Sequence, residues 1–359
     1  MTVVAPAGDG PDGPCAAMPA GSQPAGVAGA DAEPADARLA IGARALGVDF
    51  PLVQAGMGGV AGPALAAAVG EAGALGTVAC YRSAPERVAR LVRETSGLTR
   101  RRFAVGVVPE LAGTGLTGQL SAALTVADRV LVVNSFGLLP AEAAAAVKAA
   151  GHLLLVQVGT AAEAATAVGF GADVLALQGT AAGGRHLGGL STRRLLAEVR
   201  VLDPGVPLLV AGGLTDGGWL RAAASAGAHG ALAGTLFVAT DESEAHPDYR
   251  RALLAATAAD TVVTDRFALG WPGRPHRVLA GPVTDEPEAP PRAVVGWLTE
   301  DGVRHPVFRG AATAPSVRVT GAIDQLAHYA GTGCGTVRTV RTASAVVHRL
   351  RAEAAATTH

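Results

Sequence analysis

From residue 51 onward the chain alternates between short, fully apolar runs and stretches that read as helices, and this alternation rules out most folds. A run that is apolar at every position, rather than at every second one, marks a strand buried on both faces. That is the condition of a parallel sheet covered by helices. Such runs lie at 51–55, 75–79, 103–107, 129–133, 153–157, 173–178, 207–210 and 230–233. Helices are expected between them at 63–72, 85–94, 116–125, 140–150, 161–170 and 216–226. Proline marks helix starts at Pro63, Pro85 and Pro140, and glycine marks helix ends at Gly73, Gly151 and Gly227. Eight such repeats fit a TIM (β/α)8 barrel better than an open doubly wound sheet. An open sheet would more naturally carry GxGxxG after its first strand, and Gly56-Met57-Gly58-Gly59-Val60-Ala61 lacks that spacing.

The rest of the chain divides by texture. Residues 1–37 are rich in Ala, Gly and Pro, carry five acidic residues and no Lys or Arg, and read as a disordered leader rather than a signal peptide. The barrel core is expected over 38–240. Residues 241–315, with Trp271-Pro272-Gly273-Arg274-Pro275, read as an excursion beside the barrel mouth, and 316–359 as a helical segment completing the domain. Half the residues are hydrophobic (49%), enough for one large core. A net charge of −1 without a basic face argues against nucleic acid and anionic membranes as partners. Cys15, Cys80 and Cys334 have neither CxxC nor metal-ligand spacing, so no metal is expected and a reduced, cytoplasmic protein is the plain reading. Lys148 is the only lysine, and Schiff-base chemistry is not expected.

In a barrel, chemistry sits just past the carboxyl ends of the strands. The last two ends are Val210-Ala211-Gly212-Gly213 and Ala233-Gly234-Thr235. Bare glycine amides after the last two strands are what such a barrel uses to hold a phosphate, because a Cβ would keep the oxygens away. Each turn alone is also an ordinary tight turn; the pair, correctly spaced, favours the phosphate. Other strand ends offer Gln54 to Gly58, Asn134 to Gly137, and the glycine loop from Gln178 to Gly189.

The ordered motifs QAGMGG, QGTAAGGRHLGG, VAGGLTDG, AGTLFVATDESEAHP and WPGRPHRVL, with YAGTGCGTVRTV after them, resemble the nitronate monooxygenase family, formerly called 2-nitropropane dioxygenases. FMN-dependent enoyl-ACP reductases are close relatives that share the motifs. The similarity spans about residues 45 to 350.

The resemblance implies FMN, with its phosphate on Gly212, Gly213, Gly234 and Thr235, Ala211 as a further cofactor contact, and its ring against Ala55, Gly56 and Met57. Gln178, Gly183 and Gly184 would border the flavin. The implied reaction is oxidation of alkyl nitronates by O2 to a carbonyl compound and nitrite. The alternatives are an enoyl reductase or NAD(P)H:acceptor oxidoreductase on the same barrel, and a flavin-binding barrel without turnover.

The family's loop after strand six reads close to QGxEAGGH, and its histidine is a base or polarising group. Here Arg185 stands at that position, His186 follows, and Ala181 replaces the usual Glu. Either the loop bulges to return His186 to the site as the catalytic base, or Arg185 faces the substrate as a fixed cation. Ser135 is a candidate substrate contact that equally reads as a strand cap. His152 and His229 fall at the opposite barrel end and His246 at a helix start, while His276 could lean over the mouth but reads more readily as structural. The physiological substrate and the oligomeric state stay open, a homodimer included.

Overall fold

The computed structural model of the protein describes residues 33–286 and 292–356. Of the leader expected over 1–37, residues 1–32 lie outside the described residues. The folded chain starts inside its last residues, with a helix at Ala35–Leu46 that ends on Gly47 in the left-handed conformation (φ 68°).

The barrel strands follow in order: β1 (Leu52–Gln54), β2 (Thr77–Ala79), β3 (Ala104–Val107), β4 (Val132–Phe136), β5 (Leu153–Val158) and β6 (Val174–Gln178). A two-residue strand outside the barrel, β7 (Gly184–Arg185), precedes β8 (Leu208–Ala211) and β9 (Gly230–Ala233). The eight barrel strands pair in parallel in the order β1-β9-β8-β6-β5-β4-β3-β2. A parallel bridge between Val53 and Leu75 closes the circle, with Gln54 N–H donating to the Leu75 carbonyl at 2.8 Å. The expected TIM barrel is the observed fold.

Alternation along each strand sorts side chains into two cores. Val53, Leu75, Ala104, Val132, Leu155, Val174, Ala176, Leu209, Ala211 and Leu232 fill the barrel interior. Leu46, from the helix at Ala35–Leu46, joins them. Their neighbours, such as Val105, Val133, Val156, Leu175 and Val210, pack outward against the helices.

Near the carboxyl ends of the strands, polar groups replace this apolar filling. Gln157 donates to Asn134 Oδ1 at 2.8 Å, Asn134 donates to Thr77 Oγ1 at 3.3 Å, and Gln54 Oε1 accepts from Thr77 N–H at 2.9 Å. A buried polar group is tolerated when its partners are in place, and this chain of bonds supplies them.

Several expectations shift. The fourth strand runs at Val132–Phe136 rather than 129–133, because Arg129 belongs to the turn before it and donates to the Thr99 carbonyl at 2.6 Å. A helix at Thr192–Val201, capped by Ser191, went unexpected. The tail is only partly helical. Ile323–Gln325 and Thr332–Thr336 are single 3-10 turns, and the regular helix is confined to Ala343–Ala355.

The excursion carries the helix Pro247–Ala255 and four strands. β10 (Thr261–Thr264) pairs antiparallel with β11 (His276–Leu279), which pairs in turn with β7. A second sheet joins β12 (Val294–Glu300), β13 (Val303–Phe308) and β14 (Val319–Gly321). The β7–β11 pairing binds the excursion to the loop after β6.

Candidate active site

Two strand ends and one late loop form a cradle of bare backbone. After β8 the chain turns through Gly212 (φ 107°) and Gly213 (φ 81°), conformations that favour glycine. After β9 it passes through Gly234 into a short helical turn, Thr235–Val238. Among the described residues, the main-chain N–H groups of Gly212, Gly213, Gly234 and Thr235 donate to no protein atom.

The third wall is the segment Ala330 to Gly333. Its Gly331 N–H donates to Thr235 Oγ1 at 3.0 Å, and Thr332 N–H donates to the Ala181 carbonyl at 3.0 Å. A Cβ on Gly212 would lie 2.6 Å from Ala182 N, one on Gly183 2.5 Å from Gly331 N, and one on Gly333 2.5 Å from the Leu214 carbonyl oxygen. Main chain therefore packs on main chain, and side chains are excluded. Unpaired amides converging in a glycine-lined concavity fit a phosphate.

The cradle is one end of a cavity of about 1170 Å³, its open mouth included. Ala55, Gly56 and Met57 line one side, Gly183 and Gly184 another, and Gln157 and Gln178 the floor. Tyr81, Phe136, Tyr249, Trp271 and Tyr329 supply an aromatic rim. Every residue expected at the cofactor, from Ala55 to Thr235, lines this one cavity. The aromatic rim was not foreseen, since its members come from five separate stretches of the chain, among them the end of β4 and the helix Pro247–Ala255.

Gln178 is held by the loop it supports. Its Nε2 donates to the Arg185 carbonyl at 2.9 Å and its Oε1 accepts from Leu187 N–H at 2.8 Å. These two bonds fix the turn that presents Arg185. Ser135 does not reach the cavity. With β4 extending to Phe136, Asn134 and Phe136 face inward and Ser135 outward, fully buried and donating to the Gly137 carbonyl at 2.7 Å.

Arg185 and His186 part company. Arg185 lines the cavity at 3% exposure. Its Nη1 donates to the Arg274 carbonyl at 2.9 Å and lies 2.7 Å from His276 Nδ1, and its Nη2 donates to the Phe267 carbonyl. The guanidinium carbon lies 5.3 Å from the centre of the Trp271 ring, and Nε has no partner. His186 is absent from the cavity lining. Its Nε2 contacts the Ala182 carbonyl at 2.9 Å, a donation that puts the ring proton on Nε2, and its N–H donates to the Pro275 carbonyl at 2.9 Å. Burial holds the imidazole below its ordinary basicity, and the Arg277 charge adds to the effect.

His276, a minor candidate for the mouth, is fully buried beside Arg185. His152 and His229 serve the far end of the barrel, accepting from Leu131 N–H at 3.1 Å and Leu208 N–H at 3.0 Å. His246 caps the helix Pro247–Ala255.

The described cavity lining contains Arg185 and three tyrosines as titratable groups, and no Asp, Glu, His or Lys. All three phenols donate to main-chain carbonyls: Tyr81 to Gly56, Tyr249 to Tyr329, and Tyr329 to Ala312. Burial pushes each phenol further up from its already high range. No cluster of metal-ligating side chains occurs among the described residues.

Barrel, cradle and aromatic cavity together define a TIM-barrel protein with a phosphate-type site opening into a largely apolar cavity. The particular lineage follows from sequence. The family model described as nitronate monooxygenase matches residues 43–353, and the chain belongs to that family. A nitronate monooxygenase of Pseudomonas aeruginosa is 34% identical over 286 residues, covering 67% of this chain and 81% of that one. An octahydro-indene-carboxyl-CoA dehydrogenase of Mycobacterium tuberculosis is 34% identical over 251 residues, covering 69% of this chain and 68% of that one. Among solved structures, nitroalkane oxidase from Streptomyces ansochromogenes superposes with a TM-score of 0.68 at 32% identity, covering 86% of this chain and 96% of that one.

Proposed function

We propose that the protein is an FMN-dependent nitronate monooxygenase that takes alkyl nitronates already in their anionic form, and with O2 yields a carbonyl compound and nitrite. The observation that carries this reading is the charge on the cavity wall: one buried cation, Arg185, and no base among the lining residues. A nitronate is an anion and is attracted by that cation. A neutral nitroalkane needs a proton acceptor first, and neither arginine nor a carbonyl-bound phenol serves as one near neutral pH.

Gly212, Gly213, Gly234 and Thr235 would hold the FMN phosphate through their unpaired amides, and the main chain of Ala55 to Met57 would lie against the ring. When bound, FMN supplies the redox chemistry. The chain supplies the rest. Arg185 attracts and orients the anion, Gln178 fixes the turn that carries Arg185, and the aromatic rim keeps bulk water off the reacting pair.

His186 belongs to the loop rather than to the substrate in this reading, because its ring is tied to the Ala182 carbonyl and does not line the cavity. The test compares initial rates on an alkyl nitronate and on its parent nitroalkane, for the wild type and for His186→Ala. Turnover of the nitronate alone, little changed by the substitution, is expected. Equal turnover of both compounds by the wild type, with the nitroalkane rate lost in His186→Ala, would restore His186 as a base.

A second reading is supported by the Mycobacterium tuberculosis dehydrogenase: an FMN-dependent reductase or dehydrogenase using NAD(P)H. Rapid bleaching of the bound flavin by NAD(P)H, with no response to nitronate, would favour it.

A further inference from the structure

The atoms that hold Arg185 are all uncharged. Main-chain carbonyls of Phe267 and Arg274 accept from it, and His276 Nδ1 lies 2.7 Å from Nη1. Among the described residues it makes no ion pair. Burying a guanidinium is costly, and a carboxylate is the usual remedy. In the antiparallel β7–β11 pair, the position directly opposite Arg185 is held by His276.

The ring has no room for a second proton. Arg185 Nη1 faces Nδ1, and Phe267 N–H faces Nε2 at 3.1 Å. An imidazolium has no lone pair for either donor, so both contacts oppose protonation. A neutral ring has one lone pair, and the charged donor 2.7 Å from Nδ1 competes for it better than the main-chain amide at 3.1 Å. The Arg274 carbonyl, 3.3 Å from the same Nδ1, already accepts from Arg185 Nη1 at 2.9 Å. Burial first, and then the Arg185 charge, bring the His276 pKa down to about 4.

The other charged groups around the pair do not alter this. The Arg274 carbonyl and then Asp265 favour protonation of His276, and His186 opposes it, each less than burial and Arg185 do. Tyr329, Glu110 and Arg82 face Arg185. Of these, Glu110 accepts from Arg274 Nε at 2.6 Å and from Trp271 Nε1 at 3.2 Å, so its charge already has a partner.

We infer that His276 is a positioning residue that holds the Arg185 guanidinium with a neutral acceptor, so that the cation keeps its charge for a small anionic substrate, which acts as its missing counter-ion. The inference rests on Arg185 as the anion-binding group of the function proposed above. It adds a reason for the residue type at 276: an acceptor is required, and a charged one is excluded. The unpartnered Nε of Arg185 is the donor left over.

The test uses the flavin-loaded protein with His276→Gln, His276→Glu and His276→Leu. Two readouts are taken: the calorimetric Kd of propionate, an unreactive carboxylate, and the KM and kcat for propyl-2-nitronate. Melting temperature and flavin content serve as folding controls. Gln retains a neutral acceptor, and its Kd and KM should stay within about threefold of the wild type. Glu retains an acceptor but cancels the charge, and both constants should rise about tenfold or more, with kcat changing less. Leu removes the acceptor, and both KM and kcat should suffer.

Wild-type affinity for propionate in the Glu variant, or equal losses in Gln and Glu, would overturn the inference. So would a wild type that does not bind propionate. Should the Glu variant fail to fold, the Gln and Leu variants decide: Gln must keep the binding that Leu loses. A wild type that binds propionate yet leaves nitronate unoxidised would overturn the proposed reaction and not this role of His276.

Discussion

The two ends of the cavity are built on different principles. The glycine cradle is made of backbone: Gly212, Gly213, Gly234 and the Ala330–Gly333 segment, where a Cβ on Gly212, Gly331 or Gly333 would collide with neighbouring main chain. The wall around Arg185 is made of side chains and distant carbonyls, brought together by the β7–β11 pairing. The first end is rigid because there is nothing in it to move. The second depends on an excursion of the chain being docked in register, and on the proposed function substitutions there alter substrate choice without disturbing the cofactor.

The largest expected effect lies in the cradle. Gly212→Val forces a branched side chain onto φ 107° with its Cβ 2.6 Å from Ala182 N. The purified variant should carry no flavin absorbance, and a fully yellow variant would break the distinction between the two ends. Next comes Arg185→Ala, which should retain flavin yet lose about a hundredfold or more in kcat/KM for nitronate. Loss of flavin in that variant would show that the two ends are not separable.

Trp271→Ala is expected to cost less. The ring sits 5.3 Å from the Arg185 guanidinium carbon and meets Phe136 edge to face at 5.6 Å, so KM should rise by about three- to tenfold. An unchanged KM would remove Trp271 from the wall.

The smallest effect is one of stability with pH. His152, His186, His229, His276 and His328 all have pKa values lowered from 6.5 in the folded chain, chiefly by burial. The unfolded state therefore takes up protons near pH 6.5 that the folded state refuses. Their stability contribution is complete above that pH and is lost as pH falls toward about 4, where His276 titrates. Melting temperature should decline between pH 7 and pH 5, and a flat profile would contradict neutral burial.

Legibility in the sequence follows the same divide. Glycine turns after β8 and β9 announce themselves, because bare backbone at a strand end is a local property of the chain. The alternation of apolar runs likewise gave the barrel, since burial on both faces is written in each strand separately. Arg185 could be picked out as a substitution in a motif, but its setting could not. Its acceptors lie 82, 89 and 91 residues downstream, and no local period encodes a pairing of that range.

Ser135 was misplaced for a related reason. Asn134, Ser135 and Phe136 read as a loop because polar residues interrupt the apolar run, whereas they continue β4 into the polar layer of the barrel. The third wall of the cradle was visible as a motif without a location. Gly331 and Gly333 acquire meaning only beside Ala181 and Leu214.

The most direct test of a cation-lined, base-free cavity is a paired anaerobic titration of the flavin-loaded protein at one pH. Propyl-2-nitronate goes into one cuvette and 2-nitropropane into the other. Loss of the yellow absorbance with the nitronate, and none with the nitroalkane on the same timescale, is the expected result. Comparable bleaching by both would mean that a base reaches the substrate and that Arg185 does not define the chemistry of this wall.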